Sequence, residues 1–173
     1  MTTKVLVAYA TKNWSTAEIA RTITEALRAE GLEPEMRLVS EVGDIQAYDA
    51  VVLGSPLYAG RWHKDARRFV RRSAQALAKR PVWLFSSGPL DASASERDIP
   101  PVPAVRRALI RLDARSHVTF GGCLEEGAKG RVAHMILKSG KGGDYRDFGQ
   151  IAAWAHRVGA TLGGEVVVAR EEH

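Results

Sequence analysis

Three hydroxyl side chains and one cation fall within six residues near the N-terminus, Thr11-Lys12-Asn13-Trp14-Ser15-Thr16. Thr11, Ser15 and Thr16 can donate hydrogen bonds to phosphate oxygens, and Lys12 can add a full positive charge. Ser15 followed by Glu18 has the spacing of a capping box, so a helix is expected to begin there. The free N–H groups of a helix's first turn, together with its macrodipole, favour an anion at that end. The chemistry this stretch predicts is the holding of a phosphate group. An ordinary strand-to-helix turn with a serine cap would carry the same residues, and both readings stand at this point.

Other chemistry-bearing residues are dispersed. The five histidines, His63, His117, His134, His156 and His173, show no metal-ligand spacing. Each is expected to be an ordinary surface or half-buried residue, with His63 set apart by its place beside a candidate loop. Cys123 is the single cysteine, so no intrachain disulfide can form. It is expected to be a small buried residue, compatible with a reducing cytoplasm. No Ser-His-Asp or paired-carboxylate arrangement presents itself, and no catalytic acid or base can be named.

The elements that must position these residues follow from periodicity. Val5 to Tyr9 is a short apolar run of the kind a buried parallel strand requires. A helix is predicted over Ser15 to Glu30, with Ile19, Ile23 and Leu27 on one face and Gly31 as its stop. Glu35 to Val39 reads as a weak second strand, and Ala50 to Gly54 as a buried third. The loop after it, Ser55-Pro56-Leu57-Tyr58-Ala59-Gly60, is long enough and rich enough in Gly and Pro to project over a ligand. A helix is expected from His63 to Lys79, with Ala66, Phe69, Val70, Ala74 and Leu77 inward. Arg67, Arg68, Arg71, Arg72 and Lys79 make it basic. Those charges read either as a solvated face or as a docking patch for an acidic partner or a membrane surface.

Pro81 to Phe85 is the next buried strand, ending in a small-residue loop, Ser86-Ser87-Gly88-Pro89-Leu90. Asp91 to Pro103 is polar and proline-rich, as a surface loop would be. Ala104 to Leu112 is a short helix with Val105, Leu109 and Leu112 inward. Val118 to Gly122 is the last sheet strand, with Cys123 and Leu124 continuing it. A short helix and then a loop are expected over Gly127 to Gly143. Asp147 with Gln150 caps a final helix whose inner face is Ile151, Trp154, Ala155, Val158 and Leu162. The tail from Glu165 is expected to be a short extended piece.

Alternating strands and helices with near-continuous apolar strands define an α/β fold with a parallel sheet covered on both faces. Right-handed crossovers place the loops after strands 1, 3 and 4 on one edge, where the ligand of such a sheet sits. A dinucleotide G-x-G-x-x-G fingerprint is absent after strand 1. The nearest approach to a P-loop, Gly122 to Lys129, fails by one residue and lacks the hydroxyl. Tyr9-Ala10-Thr11 offers no carboxylate to hold magnesium.

The 173 residues suit one domain, and an apolar share of 45% argues against disorder. The chain enters its first strand at once, so no signal peptide is expected. No apolar run approaches the ~18 residues of a membrane span. The net charge of +5 favours anionic partners, while no zinc-finger spacing or aromatic RNA-binding strand points to nucleic acid. No feature specifies an oligomeric state.

With these residues in view, the chain resembles the flavodoxin-like family and, within it, the flavodoxin-type, menaquinone-dependent protoporphyrinogen oxidases. Thr11 to Thr16 followed by Glu18-Ile19-Ala20 lies on the family's FMN phosphate loop. Gly54 to Gly60, with His63 and Phe69-Val70, resembles its loop and helix after strand 3. Phe85-Ser86-Ser87 fits its third flavin loop, and Gly142 to Phe148 its C-terminal segment. The resemblance implies a single three-layer domain over residues 1–173, with a five-stranded parallel sheet in the order 2-1-3-4-5. It implies FMN as cofactor, its phosphate in Thr11 to Thr16. Its isoalloxazine would lie between Ser55–Gly60 and Ser86–Leu90, with Tyr58 as a stacking ring or a plain packing residue. It further implies an oxidoreductase that passes electrons from a substrate such as a porphyrinogen to a quinone. The location implied is cytoplasmic, with peripheral contact at the inner face of the membrane through the basic helix His63 to Lys79.

Two other readings accompany this one. The chain could serve as an electron carrier or quinone reductase, although its basic charge differs from that of the usually acidic electron-carrier flavodoxins. It could also be a flavodoxin-like module that has lost FMN and binds a partner. Trp14, standing where flavodoxin loops usually carry glycine, keeps that last reading open.

Overall fold

The sheet is built on β1 (Lys4–Tyr9), with β2 (Glu33–Leu38) on one side and β3 (Ala50–Tyr58) on the other. The computed structural model describes residues 2–12, 15–88, 92–124 and 143–171. Beyond β3 lie β5 (Val82–Ser87) and β6 (Ser116–Phe120), all parallel, so the main order is β2-β1-β3-β5-β6. This is the expected 2-1-3-4-5 sheet. Two small additions accompany it. Strand β4 (Arg61–Trp62) folds back antiparallel on β3, and β7 (Cys123–Leu124) pairs antiparallel with β8 (Gly143–Asp144) as a separate ribbon.

Strand alternation divides the core into two layers. Val5, Val7 and Tyr9 of β1 face the same side as Val52, Trp83 and Phe85. That side is covered by α1 (Ser15–Ala29) and by α5 (Phe148–Glu171), through Ile19, Ile23, Leu27, Ile151, Trp154 and Val158. Leu6 and Ala8 face the other side with Val51, Leu53 and Leu84, under α2 (Lys64–Leu77) and α4 (Pro103–Arg111). A four-residue helix, α3 (Ser93–Glu96), interrupts the stretch expected to be only loop. Each fully buried large aliphatic or aromatic side chain contributes about 1.5–3 kcal/mol, so both layers stabilise the sheet between its helices. Gly54 is required by a close approach: a Cβ there would lie 2.0 Å from the Phe85 ring.

Three expectations are corrected. The stretch from Ser55 to Gly60 is not a projecting loop. Strand β3 runs on through Tyr58, a two-residue turn follows at Ala59 (φ 50°) and Gly60 (φ 73°), and β4 returns along it. Positive φ at both turn positions matches the hairpin turn whose twist suits antiparallel strands. Cys123 and Leu124 do not continue β6. The strand ends at Phe120, and Gly122 gives its carbonyl to the Tyr145 N–H at 2.9 Å, which turns the chain toward β8. The tail from Glu165 is helical to Glu171 rather than extended. The β-branched residues there oppose a helix by only a few tenths of a kcal/mol each, and continuing a helix already formed carries no nucleation cost. The expectations on Asn13, Trp14, Pro89 and Leu90, and on Gly127 to Gly142, lie outside the described residues.

Candidate functional site

The carboxyl ends of β1, β3 and β5 converge on one edge. Strand β1 ends at Tyr9, and the Ala10 N–H donates to the Gly54 carbonyl at 3.0 Å, so the two chains leave the sheet side by side. Beyond that point β3 still pairs with β5, Ser55 opposite Ser86 and Pro56 opposite Ser87. Lys12 then reaches across, its Nζ lying 5.4 Å from the centre of the Tyr58 ring. The stretches predicted separately as phosphate loop, second loop and third loop are therefore neighbours.

The residues predicted to form a phosphate loop include two buried hydroxyls. Ser15 opens α1. Thr16 is fully buried, and its Oγ1 has no hydrogen-bond partner among the described residues. The Thr11 Oγ1 is likewise buried and without one. A buried hydroxyl left unpaired costs about 1–3 kcal/mol, so two of them at one strand–helix junction call for an acceptor that the protein does not supply. Lys12 is exposed and adds its charge at the same end of the sheet.

Arg146 closes this junction from behind. Its guanidinium grips Asp144 through Nε at 2.9 Å and Nη2 at 2.8 Å, and Nη1 donates to the Ser15 carbonyl at 3.1 Å. Glu18 lies 3.4 Å away. The Arg146 side chain is nearly buried, and its bonds hold the Asp144 carboxyl below its usual range. The C-terminal segment is thus tied to the first residue of α1, a link that the chain separation concealed.

The other predicted residues divide. Ser55 and Ser86 sit on the edge, but their hydroxyls point into the fold. Ser55 Oγ donates to the Pro56 carbonyl at 2.9 Å and accepts the His63 N–H at 2.9 Å. Ser86 Oγ accepts the Trp62 indole N–H at 2.8 Å and shares a 2.8 Å hydrogen bond with His117 Nε2. These serines shape the edge, while Leu57 and Tyr58 remain half-exposed on it and Ala59 and Gly60 lie fully outside. Ser87 is buried, and the Gly88 N–H extends the ladder by donating to the Phe120 carbonyl at 3.1 Å.

His63 has a structural task as the N-cap of α2, its Nδ1 accepting the Asp65 N–H at 3.1 Å. Desolvation is the main cause that holds its pKa below the ordinary histidine value. His117, which no sequence spacing singles out, is more perturbed: burial pushes it down to about 4, and its Nδ1 is buried without a partner among the described residues. His117 and Trp62 are the residues sequence reasoning missed. Only their side-chain contacts through Ser86 reveal them.

A parallel sheet in this order, with a candidate phosphate junction after β1 and two more loops beside it, defines an α/β protein of the flavodoxin type. The flavodoxin domain family matches residues 6–127, and the chain belongs to that family. It is 28% identical over 85 residues to the protoporphyrinogen IX dehydrogenase [quinone] of Escherichia coli strain K12, covering 48% of this chain and 47% of that one. The chain thus aligns with about half the length of the curated relatives it matches. Among solved structures, the rubredoxin oxygen:oxidoreductase of Desulfovibrio gigas superposes with a TM-score of 0.63 at 13% identity, over 94% of this chain and 37% of that one. Oxidised flavodoxin 2 of Bacillus cereus superposes with a TM-score of 0.57 at 20% identity, over 94% and 99%. These structural likenesses establish the fold. Family membership gives FMN as the cofactor, and the two unpaired hydroxyls at the phosphate junction fit it.

Proposed function

We propose that this protein is an FMN-dependent oxidoreductase that oxidises a porphyrinogen and delivers the electrons to a quinone. The observation that carries the flavin part is the pair of buried, unpartnered hydroxyls of Thr11 and Thr16 beside the start of α1. The substrate part rests on the 28% match to a protoporphyrinogen dehydrogenase.

In this reading Thr11 and Thr16 donate to the phosphate oxygens, and the first N–H groups of α1 add their partial charge. Lys12 supplies countercharge. Tyr58, in the half-exposed hairpin β3–β4, forms one wall of the flavin cleft, and the end of β5 forms the other. When bound, FMN supplies the chemistry of accepting electrons from one partner and passing them to the next. The protein positions the ring and excludes water from one side of it. Arg68 and Arg71 on α2, with Lys79 just beyond its end, are exposed and offer a basic face to anionic lipid, where a quinone would be met. No helix among the described residues is long and apolar enough to cross a membrane, so contact would be peripheral.

The test is anaerobic turnover of protoporphyrinogen with a quinone, using protein whose flavin content has been measured. Porphyrin formation matched by quinone reduction supports the reading. Full flavin loading without porphyrin formation overturns the substrate assignment. Quinone reduction from another donor alone would make the protein a quinone reductase or electron carrier.

A further inference from the structure

On the far side of the Trp62–Ser86 contact lies a cleft of about 380 Å³ between α2 and α4. Its floor is apolar, formed by Trp62, Val70 and Ala108. Its rim is four arginines: Arg67 and Arg71 from α2, Arg107 and Arg111 from α4. Each pair has i,i+4 spacing, so each presents two cations about one helical turn apart on the same face. The two pairs border one cavity.

These arginines differ from the others near α2. Arg72 spends its guanidinium on the carbonyls of Val39 and Val42, and Arg80 on those of Ala76, Ile45 and Tyr48. Those two are structural clasps. Arg67 uses only its Nε, on the Trp62 carbonyl at 3.1 Å. Arg71, Arg107 and Arg111 meet no carboxylate and donate no side-chain hydrogen bond among the described residues. Four like charges around one apolar cavity repel one another, and like-charge pairs at this spacing weaken both helices. An apolar body with two anionic groups would relieve that repulsion and cover the floor at once, with guanidinium–carboxylate bonds fixing its orientation.

We propose that this cleft binds an amphipathic organic dicarboxylate, its flat apolar body on Trp62 and Val70 and its carboxylates on the two arginine pairs. The binding itself follows from the cleft. Its use as the anchor for a flavin substrate's acidic groups rests on the proposed function, because Trp62 joins the cleft floor to Ser86 at the flavin edge.

Mesoporphyrin IX, a dicarboxylate without reducing hydrogens, is a suitable probe, read by quenching of tryptophan fluorescence. Saturable binding at one per chain is expected, weakened about tenfold by Arg107→Gln and about 100-fold by Arg107→Gln with Arg111→Gln, as expected for loss of charge-assisted bonds. A control with the same charge loss on the opposite face of the sheet, Arg28→Gln with Arg157→Gln, is expected to stay within twofold of wild type. Equal weakening in the control would reduce the effect to net charge and overturn the proposal. So would porphyrin binding that FMN displaces, since the porphyrin would then occupy the flavin site. If the α4 variants changed binding to anionic vesicles but not to mesoporphyrin, the cleft would be a lipid contact and the proposal would fail. Flavin content, measured on the same samples, separates these outcomes from failure of the FMN assignment. Unchanged circular dichroism of the variants confirms the fold.

Discussion

Trp62 donates its indole N–H to the Ser86 hydroxyl across 2.8 Å, and that same hydroxyl contacts His117 Nε2 at 2.8 Å. The contact joins a hairpin residue, the end of β5 and the middle of β6 on the sheet face beneath α2 and α4. It also sets a cleft floor against the sheet edge that carries the predicted flavin loops. Ser86→Ala would strand two buried polar groups, whereas Trp62→Phe removes only one partner and keeps an aromatic ring. Ser86→Ala is expected to cost about 2–4 kcal/mol in denaturant unfolding and Trp62→Phe about 1–2 kcal/mol. Non-additivity in the double variant would register their shared bond.

His117 makes the fold acid-sensitive. Its pKa is pushed down to about 4 by burial, below the ordinary 6.5. The unfolded chain therefore binds the proton first as pH falls. The stabilisation from keeping this ring neutral is complete above 6.5 and is lost progressively down to about 4. Within that window stability should fall by up to about 1.4 kcal/mol per pH unit from this group. His63, whose pKa is also lowered, acts in the same direction. Stability curves across the window are expected to be flatter for His117→Gln than for wild type.

Thr16 separates stability from binding. Thr16→Val removes a buried hydroxyl that has no partner among the described residues, so thermal stability should hold or rise by about 1 kcal/mol. FMN affinity should fall by about 10- to 100-fold, the worth of one hydrogen bond to a charged phosphate. Calorimetric titration with FMN alongside thermal melts tests both directions. A loss of stability with unchanged FMN affinity would make Thr16 an ordinary packing residue.

Ala59 is strained where it stands. At φ 50° it occupies the left-handed region that costs a non-glycine residue about 1 kcal/mol. Ala59→Asn creates the Asn-Gly pair that such turns favour, and Ala59→Gly removes the strain outright. Either change is expected to raise stability by about 0.5–1 kcal/mol in denaturant unfolding.

Much of this was legible in the residue order, for reasons the structure makes plain. A short apolar run followed by Ser15 and Glu18 reads as a buried strand feeding a helix, and β1 and α1 are where that pattern places them. Asp147 and Gln150 were legible in the same way, the Gln150 N–H donating to Asp147 Oδ1 at 3.0 Å. Pro56 misled because proline ordinarily excludes a central strand. Here β1 pairing stops at Gly54, so Pro56 lies on a locally unpaired edge and needs no N–H donor on that side. His117, Trp62 and the grip of Arg146 on Ser15 were beyond reach, since each depends on contacts between residues far apart in the chain. Of the cleft arginines, Arg67 and Arg71 belong to the basic helix read from the sequence; only the cavity they share with Arg107 and Arg111 of α4 shows that two cations face two more.

The central claim is an FMN site at Thr11 to Thr16. It is tested most directly by the visible absorption spectrum of the protein as purified, repeated after adding FMN and desalting. Retained flavin close to one per chain is the predicted result. A chain that keeps no flavin even after reconstitution would contradict the account and make the protein a binding module on a flavodoxin fold.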